Sequence, residues 1–257
     1  MGLSKRNKIK PLLDEWMPHS VATSEWLGER GIIPQDVRNY LRSKWLESLG
    51  RGAFKRPHET VTWQGALYSL QKQLNIPVHV GALTALEMTG HQHYVRFGTT
   101  RAYIFSAPGV VLPKWFLDNW GSEVRHVRTK LFPPTMAVTV RESVEGLPLV
   151  CAVPEQAILE TLHLTPKEFD PVEVAQIIEG MTSLRPKVMQ ESLEACTSVK
   201  AKRLFLYLSE RAGLRLVNSL DLTRIDLGKG KRAITKTGRL TSKYDLLLPE
   251  ELVSNVY

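Results

Sequence analysis

The sequence predicts an α+β protein, with an N-terminal winged helix-turn-helix followed by a mixed α/β C-terminal domain. Three observations lead there. Residues 1–60 carry three short amphipathic helical patterns and then a glycine-punctuated basic hairpin, the element order of a winged helix-turn-helix. From residue 94 onward, strand-like runs mix with helices opened by proline, which is the pattern of an α+β domain. The chain has 257 residues, 43% of them hydrophobic and 23% charged, so there is apolar area enough to offset chain entropy in two ordinary domains. The boundary is set at 93/94: residues 1–93 form the winged helix with a helical extension, and residues 94–257 form the C-terminal α+β domain.

Ile9, Leu12, Leu13 and Trp16 recur at i, i+3, i+4 and i+7, the stripe of an amphipathic helix, and Pro18 stops it. Ser20 or Thr23 caps a second short helix that ends near Gly31. Pro34 suits the first turn of a third helix, whose apolar stripe is Val37, Tyr40, Leu41 and Trp45. An extended run at Leu46–Leu49, the Gly50-Arg51-Gly52 turn and Ala53–Arg56 then read as a tight β-hairpin, the wing.

Thr62 caps the next helix, lined by Leu67, Leu70 and Leu74. Pro77 and Gly81 punctuate before a helix around Leu83–Met88, closed by Gly90. Strand character follows at Tyr94–Phe97, Ala102–Phe105 and Val124–Val127, interrupted by a helical Pro113–Trp120. Further strands are expected at Met136–Val140 and Leu147–Val153. Pro154, Asp170-Pro171, Pro186 and Ser198 open four helices in turn, the last ending at Gly213. Strands return at Arg224–Leu227, Arg232–Ile234 and Tyr244–Leu248.

The net charge of +8 is uneven. Residues 1–60 hold 11 basic and 7 acidic side chains, residues 61–198 hold 11 and 13, and residues 199–257 hold 12 and 6. Both ends are therefore basic, which points to polyanionic partners. No apolar run approaches the roughly 20 residues of a membrane span, and MGLSKRNKIK has no apolar core for a secretory signal. Two cysteines, Cys151 and Cys196, build neither a disulfide framework nor a zinc site and fit a reducing cytoplasm.

On the third helix, Gln35, Arg38, Asn39 and Arg42 share the face opposite the apolar stripe. These are the side chains that pair with purine edges in the major groove. Arg51, Lys55 and Arg56 sit on the wing, suited to the phosphate backbone or minor groove. Lys5, Arg6, Lys8 and Lys10 precede or open the first helix and suit phosphate tracking. Catalytic signals are weak. Gly228-Lys229-Gly230-Lys231-Arg232 lacks the spacing and the Ser/Thr of a phosphate loop and reads as a basic turn. His91 and His93 lack further metal ligands and read as linker residues. Cys151, Cys196 and most of the six tryptophans read as packing residues. No enzyme activity, metal or cofactor is expected.

The run Thr62-Trp63-Gln64-Gly65-Ala66-Leu67-Tyr68-Ser69-Leu70-Gln71, and then Pro77 through Gly90 (PVHVGALTALEMTG), resembles the junction of AbiEi-type antitoxins of type IV abortive-infection toxin–antitoxin systems. Val153-Pro154-Glu155-Gln156-Ala157-Ile158-Leu159-Glu160 is similar to that family's helix start. So are Lys202-Arg203-Leu204-Phe205 and Asp226 through Arg232. The resemblance spans nearly the whole chain. It implies a winged helix that represses its own promoter by binding inverted repeats in double-stranded DNA. It also implies a C-terminal domain that neutralises a nucleotidyltransferase-like toxin, with or without a stable complex. By analogy Arg38, Asn39 and Arg42 are recognition-helix contacts, and Arg51 and Lys55 wing contacts. For the antitoxin surface the basic candidates are Lys200, Lys202, Arg203, Arg211, Lys229, Lys231 and Arg232. The alternative is a transcriptional regulator with a ligand-sensing C-terminal domain and no toxin.

Overall fold

A computed structural model describes residues 8–89, 101–133, 139–144 and 146–253. The chain runs through α1 (Ile9–Glu15), β1 (Ala22–Thr23), α2 (Ser24–Glu29), α3 (Pro34–Arg42), β2 (Glu47–Gly50), β3 (Ala53–Lys55), α4 (Trp63–Lys72), β4 (Val78–Val80) and α5 (Ala82–Met88). It continues through β5 (Ala102–Ser106), α6 (Lys114–Trp120), β6 (Val124–Arg128), β7 (Thr139–Val144), β8 (Leu147–Ala152), α7 (Pro154–Leu164), α8 (Pro171–Gly180), α9 (Pro186–Ala195) and α10 (Val199–Arg211). Two 3-10 turns, Arg215–Ser219 and Leu222–Arg224, lead to β9 (Arg232–Ala233), β10 (Arg239–Thr241), β11 (Leu246–Leu248) and α11 (Glu250–Val253). The strands form sheets ordered β1-β3-β2, β6-β5-β4-β8-β7 and β10-β11-β9. The fold is thus mixed α and β.

Two compact units emerge, and neither is continuous in sequence. The first comprises Met1–His79, Thr100–Arg128 and Arg141–Val150, and the second Val80–Thr99, Thr129–Val140 and Cys151–Tyr257.

In the first unit the winged helix forms where the sequence places it. Thr23, not Ser20, caps α2, its side chain accepting from the Trp26 amide at 3.2 Å. Gly31 turns the chain at φ +71°, a conformation that costs glycine least. Leu12, Trp16, Trp26, Leu27, Ile32, Leu46 and Phe54 make the core, with Val37, Tyr40 and Leu41 of α3 packed on it. Trp45 departs from the expected stripe. The helix ends at Arg42 and Lys44 turns the chain at φ +58°, leaving Trp45 49% exposed. The base of the wing is fixed by α4. Ser69 Oγ accepts from Val21 N at 3.0 Å and donates to Val21 O at 2.7 Å. Gln73 accepts from Thr23 N at 2.9 Å and donates to Val21 O at 2.7 Å. Thr62 stands at the start of α4, but its hydroxyl makes no capping bond. Farther along, β5 and β6 pair in parallel across α6, whose Trp115, Phe116 and Trp120 are buried with ring centroids 5.8–6.2 Å apart.

The second unit is mainly helical. Glu155, 1% exposed, accepts from Arg185 N at 2.8 Å, Nε at 3.0 Å and Nη2 at 2.8 Å, tying α7 to the start of α9. Burial raises the Glu155 carboxyl, but the Arg185 bonds outweigh it and hold the group below its ordinary range. Glu160 accepts from Ala82 N at 2.9 Å and steadies that residue at φ +48°. Asp170 and Ser198 cap α8 and α10. Cys151 and Cys196 are buried free thiols, and burial pushes Cys196 up to about 11. No strand forms at the expected Arg224–Leu227: Arg224 ends a 3-10 turn that Asp221 caps at Thr223 N (3.0 Å), and residues 225–227 follow as irregular chain. Tyr94–Phe97, His91 and His93 lie outside the described residues. Among the described helices none is long and apolar enough to cross a membrane.

Candidate nucleic-acid interface

The outer face of α3 carries Gln35, Arg38 and Arg42 exposed and Asn39 half-buried. Three of them are linked. Arg38 donates to Gln35 Oε1 from Nε at 3.2 Å and from Nη2 at 2.6 Å, and Gln35 Nε2 donates to Asn39 Oδ1 at 3.4 Å. These bonds hold the amides and guanidinium in one row and leave further Arg38 donors facing solvent. The inner face of the same helix is anchored. Asp36, 9% exposed, accepts from Ile33 N at 3.4 Å and from Lys8 Nζ at 3.4 Å. Lys8 also donates to Gly31 O at 2.9 Å, so it locks the turn rather than facing a ligand. Lys10 is exposed. Lys5 and Arg6 lie outside the described residues.

On the wing, Arg51 is exposed at the turn. Lys55 is half-buried and bonded to Glu47 Oε2 at 3.0 Å and Glu59 O at 3.0 Å, and it holds the Glu47 carboxyl below its ordinary range. Arg56 differs from the sequence expectation. Its Nη2 donates to Leu13 O at 2.7 Å and to Trp16 O, and its guanidinium lies 5.5 Å from the Trp16 ring. It closes the C-terminus of α1, whose last carbonyls have no partner within the helix.

The basic C-terminal residues sort the same way. Lys202 and Arg203 are 3% and 4% exposed, which takes them off any surface. Arg203 donates to the carbonyls of Leu227 (2.7 Å), Gly228 (2.9 Å), Gly230 (2.7 Å) and Tyr244 (3.1 Å). Lys200 donates to His163 O at 2.7 Å and to Thr165 O. Arg211 pairs with Glu179 at 2.9 Å, and Arg232 folds back on Lys231 O at 3.0 Å. Lys229 and Lys231 stand exposed on the loop that Arg203 gathers.

The sequence places a helix at α6 but gives it no part in the interface. Asn119 Nδ2 donates to Leu49 O at 2.8 Å, and Lys114, Trp115 and Asp118 line a cleft of about 630 Å³ together with Glu25 and Arg51. Leu49 and Asn119 are 70 positions apart, and no local signal marks that contact.

A winged helix joined to further α/β structure is the build of a transcriptional regulator. Residues 5–97 match the family model described as transcriptional regulator, AbiEi antitoxin N-terminal domain. Residues 99–249 match the one described as transcriptional regulator, AbiEi antitoxin, type IV TA system. The chain belongs to this AbiEi antitoxin family of transcriptional regulators. Among individually curated proteins none matches it. Among solved structures it is similar to the RV2827C protein from Mycobacterium tuberculosis, with a TM-score of 0.63 and 17% identity over 99% of this chain and 95% of that one. That likeness concerns the fold.

Proposed function

We propose that this protein is a cytoplasmic antitoxin and autorepressor of a type IV toxin–antitoxin pair. Residues 1–93 bind inverted repeats in the promoter DNA of its own operon, and residues 94–257 neutralise a nucleotidyltransferase-like toxin. The observation that carries the DNA reading is the exposed Gln35–Arg38–Asn39–Arg42 row on a helix whose opposite face is packed into the winged-helix core. Amides and guanidinia so presented pair with purine edges, and Arg51 and Lys10 suit phosphates. The family membership supports both roles. Of the seven cations named for the antitoxin surface, Lys229 and Lys231 are the exposed ones.

The test is an electrophoretic shift on the DNA upstream of the gene, with wild type and the Arg38→Ala/Arg42→Ala double variant. Each lost base contact costs about 1–3 kcal/mol, so affinity falls more than tenfold. It also falls steeply with salt, because phosphate contacts release counterions. Unchanged affinity removes the recognition-helix assignment. The same full-length variant, co-expressed with the product of the neighbouring gene, still rescues growth. Loss of rescue alongside loss of repression counts against separate roles, and a neighbouring gene without toxicity favours the ligand-sensing regulator.

A further inference from the structure

The wing turn does not stand free. Between Ser48 and Gly50 the register against β3 shifts, Ser48 opposing Phe54 and Gly50 opposing Ala53, so Leu49 is an extra residue on β2. Such a bulge bends a strand and takes a backbone group out of the ladder. Asn119 of α6 answers it, donating Nδ2 to Leu49 O at 2.8 Å and to Trp115 O at 2.7 Å. One residue on, Gly50 has φ +137°, and a Cβ added there would lie 3.0 Å from Trp115 Cβ. The wing backbone therefore rests on α6 at a distance that a Cβ would crowd, and with a φ that side chains rarely adopt. On its other side the turn is tied to α2, with Ser24 N donating to Gly52 O at 2.9 Å. Arg51 sits between these two anchors.

The cleft beneath the turn has lining charges of both signs, Arg51 and Lys114 against Glu25 and Asp118. They balance, which disfavours an anion site there. What the cleft records is the spacing between the wing and its support.

We propose that Asn119 and Trp115 are positioning residues for DNA binding, fixing the height of the wing and so the reach of Arg51 to the phosphate backbone. This rests on the DNA-binding reading above and enlarges it, because the working wing then includes a helix well beyond residue 93. An Arg51 held by anchored backbone gives up less freedom on contact than one on a loose loop.

The experiment uses the full chain and the upstream DNA. Asn119→Ala lowers affinity about 3- to 10-fold and flattens the salt dependence by about one phosphate contact, as Arg51→Ala does. Because both act through one contact, the Arg51→Ala/Asn119→Ala double variant binds no worse than Arg51→Ala alone, whereas Arg38→Ala adds its full effect to either. Gly50→Ala, assayed below its melting temperature, reproduces the Asn119→Ala phenotype. Additive losses from Arg51→Ala and Asn119→Ala overturn the proposal, as does a lowered melting temperature with unchanged affinity. Wild type that fails to bind the DNA overturns the DNA reading itself, an outcome distinct from both.

Discussion

Arg203→Met removes a buried guanidinium while keeping most of its volume. Four carbonyls lose a charged donor: those of Leu227, Gly228, Gly230 and Tyr244, at 2.7–3.1 Å. A hydrogen bond to a charged group is worth roughly 1.5–3 kcal/mol, and an orphaned buried acceptor costs about 1–3 kcal/mol. Not all four losses count in full. Gly228 and Gly230 are exposed residues whose carbonyls recover water, whereas Leu227 is half-buried and Tyr244 buried. Two full losses give about 3–5 kcal/mol, or a melting temperature lower by roughly 10 °C for a chain of this size. Urea unfolding followed by circular dichroism reads the change. Arg203→Lys falls between the two, since an ammonium lacks the fork that spans several carbonyls. A loss below about 1 kcal/mol for Arg203→Met refutes the view that this arginine is structural.

Two other expectations concern cations that are likewise bonded to backbone carbonyls. Arg56→Ala opens the end of α1 by removing the donors to Leu13 O and Trp16 O and costs about 2–3 kcal/mol in urea unfolding, while DNA affinity per folded molecule stays as in wild type; a loss of affinity at unchanged stability reverses that assignment. Lys200 titrates at about 8, brought down by burial and then by the nearby Lys167 charge. Unfolded lysine holds its proton to about 10.4, so between those values the unfolded chain binds more protons and this group adds stability as pH rises. The stability of wild type relative to Lys200→Met therefore grows from pH 7 to pH 9.5, and an equal difference at both pH values contradicts it.

Helix boundaries were legible because their signals are local. Thr23, Asp170 and Ser198 cap where they stand, Pro34, Pro154 and Pro186 open helices, and Gly31 and Gly213 turn the chain at φ +71° and +65°. Short strands were not. Val78–Val80, between Pro77 and Gly81, looks like punctuation until Val80 pairs with Cys151. The candidate site was half legible. The period of α3 sets Gln35, Arg38 and Arg42 outward from sequence alone. Nothing local separates Arg38 from Arg56 or Arg203, because the carbonyls that take up the last two lie 24 to 43 residues away. Burial of a cation is a property of its distant neighbours.

The bonds from Ser69 and Gln73 to Val21 and Thr23 have a consequence beyond holding the wing's base. In the β1-β3-β2 sheet, β1 is an outer strand, and an open outer strand is a template for pairing with another chain. Here helix side chains occupy the backbone groups that such a visitor needs. On the far border, Asn119 takes the Leu49 carbonyl of β2. Along β1, and at one carbonyl of β2, backbone groups that strand addition would need are thus already bonded within the chain. A second copy of this chain therefore finds no free strand edge along β1.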